Sequence, residues 1–361
     1  MNPAAEPGSE GANPPSAAGY SVRTVDLQAD RAAILELWSG HAKLPPEWKY
    51  DWFYLGSPFQ APTLLLLTHG PQVERVGVAG LGTRRVCVRG EERTAGILAD
   101  LIVQARHRTL YPALLLQRHM QRTALLLHGI VYGFPNKNSK PIVRRLGYKA
   151  VGEMIRYSKL LRHGVYLERH LPRWLSSLLG ALADRLTALY FEPRSVLLGA
   201  WQGAWVESFD ERFDALWRRA RDFNGFIGVR DAQFLSWRFS LQPGHRYRTF
   251  VVTRSGQTEL AAYAVCEAEG GVLHIRDFLA DPSRDDHAKI LIHQLSRAAY
   301  RDGFAVLSLE FLGSSAQRAT LTGAGMVERA DKAEMYAQFG TDDKAELHQL
   351  DWFVTCADED E

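Results

Sequence analysis

The chain has 361 residues, of which 46% are hydrophobic and 23% are charged, and its formal net charge is +2. This length allows two domains with full cores, and the small net charge gives no reason to expect a nucleic-acid partner. Cys87, Cys266 and Cys356 show neither CxxC spacing nor an even count, so they predict no disulfide framework. No apolar run approaches the roughly 20 residues that span a bilayer. We therefore expect a soluble, cytoplasmic protein without a transmembrane segment.

The first part of the chain predicts a tail followed by strands and a helix. Residues 1–18 are rich in Pro, Gly, Ala and Ser, which predicts a disordered tail. Residues 20–25 have strand character, and residues 31–38 have helical periodicity. Residues 63–68, 73–84 and 85–103 predict three strands of a meander, and residues 153–161 predict a last strand that closes the first half.

Two residue patterns lie within this region. Trp48, Trp52, Phe53 and Tyr54 predict a helix that packs its rings into the core, because aromatic side chains are usually buried. Gly77, Gly80 and Gly82 imitate a nucleotide-binding glycine motif. A strand rather than a helix follows them, so the context of that motif is missing and we reject it.

The organising stretch of the chain runs from Asp100 to Tyr148. Its β-branched residues up to Val103 predict a strand, and the leucines after Pro112 recur at helical spacing up to His128. Arg106, His107 and Arg108 lie between these two elements. Free N–H groups at a helix start, next to basic side chains, favour a phosphate-bearing ligand.

This order of elements, together with Asn136, Ser139 and Leu146-Gly147-Tyr148, resembles the GNAT superfamily of acyl-CoA-dependent N-acyltransferases. The phrases Phe134-Pro-Asn-Lys-Asn-Ser and Arg144-Arg-Leu-Gly-Tyr are similar to GNAT-type proteins associated with bacterial surface-polysaccharide genes. The resemblance implies acetyl-CoA or another acyl-CoA as co-substrate, and a small-molecule or glycan-linked amine as acceptor. It also implies that the aromatic segment before Gly56 lines the acceptor side, as an alternative to simple core packing.

The resemblance also assigns site residues. The cofactor-binding residues that it implies are Ile102, Val103, Arg106, His107, Arg108, Thr109, Leu110, Tyr111, Asn136 and Asn138. The loop departs from the family pattern at Thr109 and Tyr111, and the position of the family's usual acid, a tyrosine, is Val143. We expect no metal site, because no HExxH motif or paired Cys/His ligand spacing is visible.

Three residues are candidates for proton transfer. Asp100 is on the strand that borders the expected thioester, and a carboxylate there can take the acceptor's proton. Its alternative role is structural, satisfying backbone amides at a strand irregularity. Tyr132 and Tyr111 are candidates to protonate the thiolate in place of the absent tyrosine.

The second half of the sequence repeats landmarks of the first. Trp52 and Trp237 each precede a proline by six residues, and Asp100 and Asp277 each begin a similar stretch that ends in a Gly-initiated strand. The predicted fold is α/β, with tandem GNAT-like mixed-sheet domains joined by a helical linker. The predicted boundaries are a first domain at 19–162, a helical linker at 163–195, a second, degenerate domain at 196–356 and an acidic tail at 357–361.

The two halves differ in the loop that is predicted to bind phosphate, which is Arg106 to Arg108 in the first half. There the second half carries Asp285 and Asp286, which would repel a pyrophosphate. We therefore expect one cofactor site, in the first domain. The predicted function is an acyl-CoA-dependent N-acyltransferase that acts on a small or glycan-linked amine in surface-polysaccharide biosynthesis. The alternatives are a non-catalytic scaffold or regulator and an aminoacyl or peptidyl transferase.

Overall fold

The computed structural model describes residues 19–39, 44–162, 200–222, 225–340 and 350–360. The predicted disordered tail (1–18) and the predicted helical linker (163–195) lie entirely outside the described residues. The helices that it contains are α1 (Arg31–Trp38), α2 (Pro46–Lys49), α3 (Leu110–His128), α4 (Lys140–Arg145), α5 (Glu211–Ala220), α6 (Ala232–Leu235), α7 (His287–Arg301) and α8 (Ser315–Gly323). Within the described residues, no helix combines the length and apolar character needed to cross a membrane.

The strands belong to one large mixed sheet. They are β1 (Tyr20–Thr24), β2 (Thr63–His69), β3 (Glu74–Val88), β4 (Glu91–Val103), β5 (Ile130–Gly133), β6 (Lys149–Leu160), β7 (Trp201–Val206), β8 (Gly225–Gly228), β9 (Tyr247–Arg254), β10 (Leu260–Glu269), β11 (Val272–Ala280), β12 (Val306–Phe311), β13 (Val327–Phe339) and β14 (Asp351–Phe353). Their order is β1-β2-β3-β4-β5-β13-β6-β12-β11-β10-β9-β7, and β8 joins β14 to β3.

The two halves of the sheet repeat one topology. β4 runs parallel to β5 and is followed by α3, as β11 runs parallel to β12 and is followed by α7. Trp52 and Trp237 stack on each other with ring centroids 4.8 Å apart. Each indole N–H donates to the other's backbone oxygen, at 2.9 and 3.3 Å. The predicted α/β fold in two copies is confirmed.

The last strand of each half pairs outside that half. Residues 153–161 were expected to close the first domain, but β6 pairs with β12 of the second half, for example Ser158 with Ser308. In return β13 pairs with β5, for example Ala337 with Tyr132. That expectation is therefore wrong, and the exchange satisfies strand edges that would otherwise carry unpaired backbone groups. The boundary at residue 162 stays a prediction.

The aromatic segment after α2 forms a π-helix, Tyr50–Leu55, whose rings lie mostly in the core. Trp52, Phe53 and Tyr54 are buried as predicted, whereas Trp48 is 44% exposed. A Cβ atom at Gly80 would collide with the Tyr54 hydroxyl, and one at Gly82 would collide with the Phe53 ring. The glycines of β3 therefore leave room for these rings.

Within the described residues, the acidic end of the chain packs against the rest of the protein. Asp358 is fully buried, and its carboxylate accepts hydrogen bonds from Arg84 at 3.1 Å and Arg230 at 2.6 Å. The predicted acidic tail at 357–361 is therefore wrong for Asp358, because two buried guanidinium groups need a carboxylate partner. Asp360 lies nearby and pairs with Lys49.

Candidate active site

A cleft opens where β4 separates from β5. The two strands pair only at Gly96 with Val131 and at Ile97 with Tyr132. Asp100 then has a φ of +49°, and the register between β3 and β4 shifts at this point. Such a bulge bends a strand and redirects its side chains. The resulting cleft has a volume of about 770 Å³ and includes residues of β4, the start of α3, and the loop after β5.

The cleft brings together most of the predicted cofactor-binding residues. Those that line it are Ile102, Val103, Arg108, Thr109, Leu110, Asn136 and Asn138. Beyond Ile97, the β5-facing edge of β4 has no strand partner in the described residues. Its backbone groups are thus available to the amides of an extended ligand.

The start of α3 provides an anion site at one end of the cleft. α3 begins at Leu110, and the Thr109 side chain makes no capping hydrogen bond to it. The N–H groups of the first turn have no intrahelical partner, so they favour negative charge. Arg108 lies beside them, where its Nε donates to the Val103 oxygen at 2.8 Å.

The other two basic residues of this loop point elsewhere. Ala105–His107 is a 3₁₀ turn, in which successive side chains project in different directions. Arg106 forms an ion pair with Glu74, and His107 Nδ1 lies 2.8 Å from the Tyr20 hydroxyl. Burial lowers the pKa of His107, and the neighbouring His69 and Arg106 lower it further. Neither Arg106 nor His107 lines the cleft.

The side chains of Tyr111 and Asn136 contact other parts of the protein. Tyr111 is 43% exposed, and its ring lies 6.1 Å from that of Tyr20 rather than in the cleft. Asn136 Oδ1 accepts hydrogen bonds from the backbone N–H groups of Asn138 at 2.9 Å and Ser139 at 3.1 Å. Asn136 thus shapes the turn that leads into α4.

Asp100 lies at the centre of a charged cluster in the cleft. It accepts hydrogen bonds from Lys49 Nζ at 2.8 Å and from the Tyr54 hydroxyl at 2.6 Å. Lys49 Nζ also donates to Asp360 at 3.1 Å, and Asp360 itself lines the cleft. No local sequence pattern points to Lys49 or Asp360, because Lys49 lies 51 residues from Asp100 along the chain and Asp360 lies 311 residues from Lys49.

The electrostatics of the cluster favour proton exchange at Asp100. Burial raises the pKa of Asp100 and Asp360 raises it further, against the opposing effect of Lys49. Burial would lower the pKa of Lys49, but Asp360 and Asp100 outweigh it and raise the pKa. Burial, and then Asp100, raise the pKa of Tyr54, which therefore stays a hydrogen-bond donor. A carboxyl group with a raised pKa is suited to act as a general base near neutral pH.

Tyr132 does not lie in the cleft. It is fully buried, and its hydroxyl donates to the Asp358 backbone oxygen at 3.1 Å. Burial raises its pKa. Among the described residues that line the cleft there is no tyrosine, and the position of the family's usual acid is the apolar Val143. We therefore assign no proton transfer to Tyr132.

The matching cleft of the second half is filled by the chain itself. Leu312, just after β12, exchanges backbone hydrogen bonds of 3.0 and 2.9 Å with Val354. The ring of Phe353 packs against Phe278 of β11 and Phe311 of β12, at centroid distances of 5.2 and 5.1 Å. Residues 353–356 thus occupy the space that a ligand would need. The apolar run Trp352-Phe353-Val354, next to an acidic end, is the sequence signal for this packing.

Asp277, the counterpart of Asp100, has a different environment. It is fully buried and accepts hydrogen bonds from Arg230 at 2.9 Å, Tyr263 at 2.7 Å and Thr355 at 2.7 Å. All of these donors belong to the protein, so the carboxylate has no open side for a substrate. Asp286, at the start of α7, is paired with Arg284 at 2.7 Å.

Comparison with solved structures gives the same fold at low sequence identity. A conserved protein of Enterococcus faecalis described as a probable N-acyltransferase has a TM-score of 0.60 at 11% identity, over 89% of this chain and 72% of that one. A tandem GNAT protein from the clavulanic acid biosynthesis pathway has 0.52 at 12%, over 89% and 98%. The N-myristoyltransferase of Saccharomyces cerevisiae, with bound myristoyl-CoA, has 0.51 at 10%, over 95% and 90%.

The sequence itself matches no family model and no curated protein. The likeness to solved structures therefore concerns the fold. The large mixed sheet matches those neighbours, which include a tandem GNAT protein. The chain has the tandem GNAT fold.

Proposed function

We propose that this protein is an acyl-CoA-dependent N-acyltransferase whose working site is the cleft between β4 and β5. One observation carries the proposal: the uncapped start of α3 and the partly buried carboxylate of Asp100 line the same cleft. The neighbours described as N-acyltransferases, and the one with bound myristoyl-CoA, support it. Acetyl-CoA or another acyl-CoA is the proposed co-substrate.

The residues of the cleft fit such a ligand in two places, and the cleft has a suitable volume. The helix start and Arg108 would hold the pyrophosphate through free N–H groups and a positive charge. The open edge of β4 at Ile102 and Val103 would bind the pantetheine amides. A volume of about 770 Å³ is in the range of small-molecule sites.

Asp100 would act as the general base. An acyl-CoA supplies an activated thioester, from which the acyl group would pass to the acceptor nitrogen while the C–S bond breaks and CoA leaves as the thiolate. The Asp100 carboxylate would accept the proton that the amine loses, directly or through water. Lys49 and Tyr54 hold this carboxylate in place. With no tyrosine in the described lining, we propose that the thiolate leaves without a tyrosine acid.

We propose a small or glycan-linked amine as the acceptor. The segments at residues 134–139 and 144–148 resemble proteins associated with surface-polysaccharide genes. This resemblance supports a role in surface-polysaccharide biosynthesis. The cluster of Asp100 and Asp360 also favours a basic acceptor, because two carboxylates share one lysine there.

Two arginines of one loop provide a matched test. Arg108→Glu should weaken the binding of CoA by about 100-fold, because reversing a charge beside a pyrophosphate costs roughly 2–3 kcal/mol. Arg106→Glu makes the same charge change two residues away, outside the cleft. It should weaken binding by only about two- to threefold. Isothermal titration calorimetry with CoA and acetyl-CoA measures both affinities.

The same titration decides between function classes. Binding of one CoA per chain, lost in Arg108→Glu, is the expected result. Equal effects of the two substitutions would place the pyrophosphate outside this loop. An absence of binding to the wild-type chain at millimolar ligand would favour the non-catalytic scaffold.

A further inference from the structure

Three potential metal ligands converge outside the proposed cleft. His69 ends β2, Glu74 begins β3, and His107 ends the 3₁₀ turn before α3. One donor atom of each lies within 4.8 Å of the donor atoms of the other two. None of the three lines the cleft, so the acyl-transfer site gives them no role.

His107 is oriented toward this cluster by a hydrogen bond. Its Nδ1 lies 2.8 Å from the Tyr20 hydroxyl, which leaves Nε2 facing Glu74 at 3.9 Å. The ring of His69 lies beside it, with centroids 5.1 Å apart. Metal-binding histidines are usually fixed in this way, through a partner on the nitrogen that does not bind the metal.

The donor set suits zinc. Two imidazoles and one carboxylate are a common Zn²⁺ ligand set, with a fourth position left for water. At Zn–ligand distances of about 2.0–2.2 Å, tetrahedral ligands are about 3.4 Å apart. The three donors would therefore need to move together by little more than about 1 Å, within the reach of side-chain rotation at strand ends.

Arg106 is the present partner of the Glu74 carboxylate. Its guanidinium forms an ion pair with Glu74, and its side chain is 66% exposed. An exposed arginine can leave such a pair at little cost, because surface ion pairs contribute about 0–1 kcal/mol. Arg106 and a metal ion thus compete for one carboxylate.

We propose that His69, Glu74 and His107 form a Zn²⁺ site that ties the β2–β3 turn to the loop before α3. The site is separate from the cleft, and the proposal does not depend on acyl transfer. It differs from the sequence-based expectation of no metal because the three ligands come from different elements and show no motif spacing.

Titration of the full chain with ZnCl₂ tests this site. The protein is first treated with a chelator and then dialysed to remove it. Calorimetry should then show one Zn²⁺ bound per chain. His69→Ala should lower the affinity at least about tenfold. His245→Ala is the matched control, because it also removes an imidazole from a His–Glu pair, at 2.8 Å from Glu267, but in the second half. It should leave the affinity unchanged.

A second substitution tests the competition and does not remove a ligand. Arg106→Gln should raise the affinity for Zn²⁺ several-fold, since it frees the Glu74 carboxylate. Because Arg106 is exposed, this variant should fold normally. No Zn²⁺ binding by the wild-type and Arg106→Gln chains would overturn the proposal. Equal losses from His69→Ala and His245→Ala would overturn it as well.

Discussion

Arg230→Met should lower the free energy of unfolding by about 3–5 kcal/mol, the cost of breaking a buried ion pair by removing one partner. The Arg230 side chain is fully buried. Its Nε donates to Asp277 at 2.9 Å, and its Nη2 donates to Asp358 at 2.6 Å and Thr355 at 3.2 Å. It thereby joins β11 to the C-terminal segment.

The size of this effect follows from what the substitution leaves behind. Methionine fills much of the same space but offers no charge to two buried carboxylates. Asp358 would keep Arg84, at 3.1 Å, whereas Asp277 would keep only the neutral donors Tyr263 and Thr355. A buried carboxylate without a charged partner is unfavourable, and the folded state would lose stability accordingly.

Urea unfolding of the wild-type protein and of Arg230→Met measures the difference in their free energies of unfolding. Arg246→Met is the control, because Arg246 is exposed and its replacement removes the same charge from the surface. The control should change the free energy of unfolding by less than about 0.5 kcal/mol. Equal stabilities of the two variants would show that the buried network does not hold the C-terminal segment.

Asp100→Asn should lower the turnover number by about 10²- to 10⁴-fold, the usual contribution of a general base. Its affinity for CoA should stay within about twofold, because the carboxylate acts on the acceptor proton and not on the pyrophosphate. Asparagine is the suitable replacement, since Asp100 has a φ of +49° and asparagine tolerates that conformation. Steady-state kinetics with an amine panel, together with CoA calorimetry, separates the two effects.

The pH profile distinguishes a base from a structural carboxylate. A base must be ionised, so turnover should fall as the pH decreases through the raised pKa of Asp100. Asp360 raises that pKa and Lys49 lowers it. Asp360→Asn should therefore move the acidic limb to lower pH, and Lys49→Met should move it to higher pH. An acidic limb that neither substitution moves would contradict the role of Asp100 as the base.

Much of the fold follows from local sequence patterns. The helix after Pro112 ends at His128 as predicted, and residues 31–38 are α1. The repeat of Trp52 in Trp237 predicts the duplicated topology, and the two indoles indeed face each other. The exchange of β6 and β13 could not be predicted, because hydrophobic periodicity identifies a strand but not its partner.

The composition of the cleft was predictable where its residues belong to one continuous stretch, although their roles stay a prediction. Arg108 and Asp100 lie in the cleft as expected, but a single 3₁₀ turn sends Arg106 and His107 to another surface. The contribution of Lys49 depends on tertiary packing. The charged composition of residues 357–361 predicts an acidic tail, yet Asp358 is buried and forms ion pairs with Arg84 and Arg230.

Hydrogen–deuterium exchange with and without CoA tests most directly the claim that the first cleft binds the ligand and the second is filled by the protein. CoA should slow exchange in residues 98–111 and 133–139, which contain the open edge of β4, the start of α3 and the loop after β5. Exchange in residues 276–287 and 310–315, the matching parts of the second half, should not change. Protection of the second-half segments, with none in the first, would contradict the assignment.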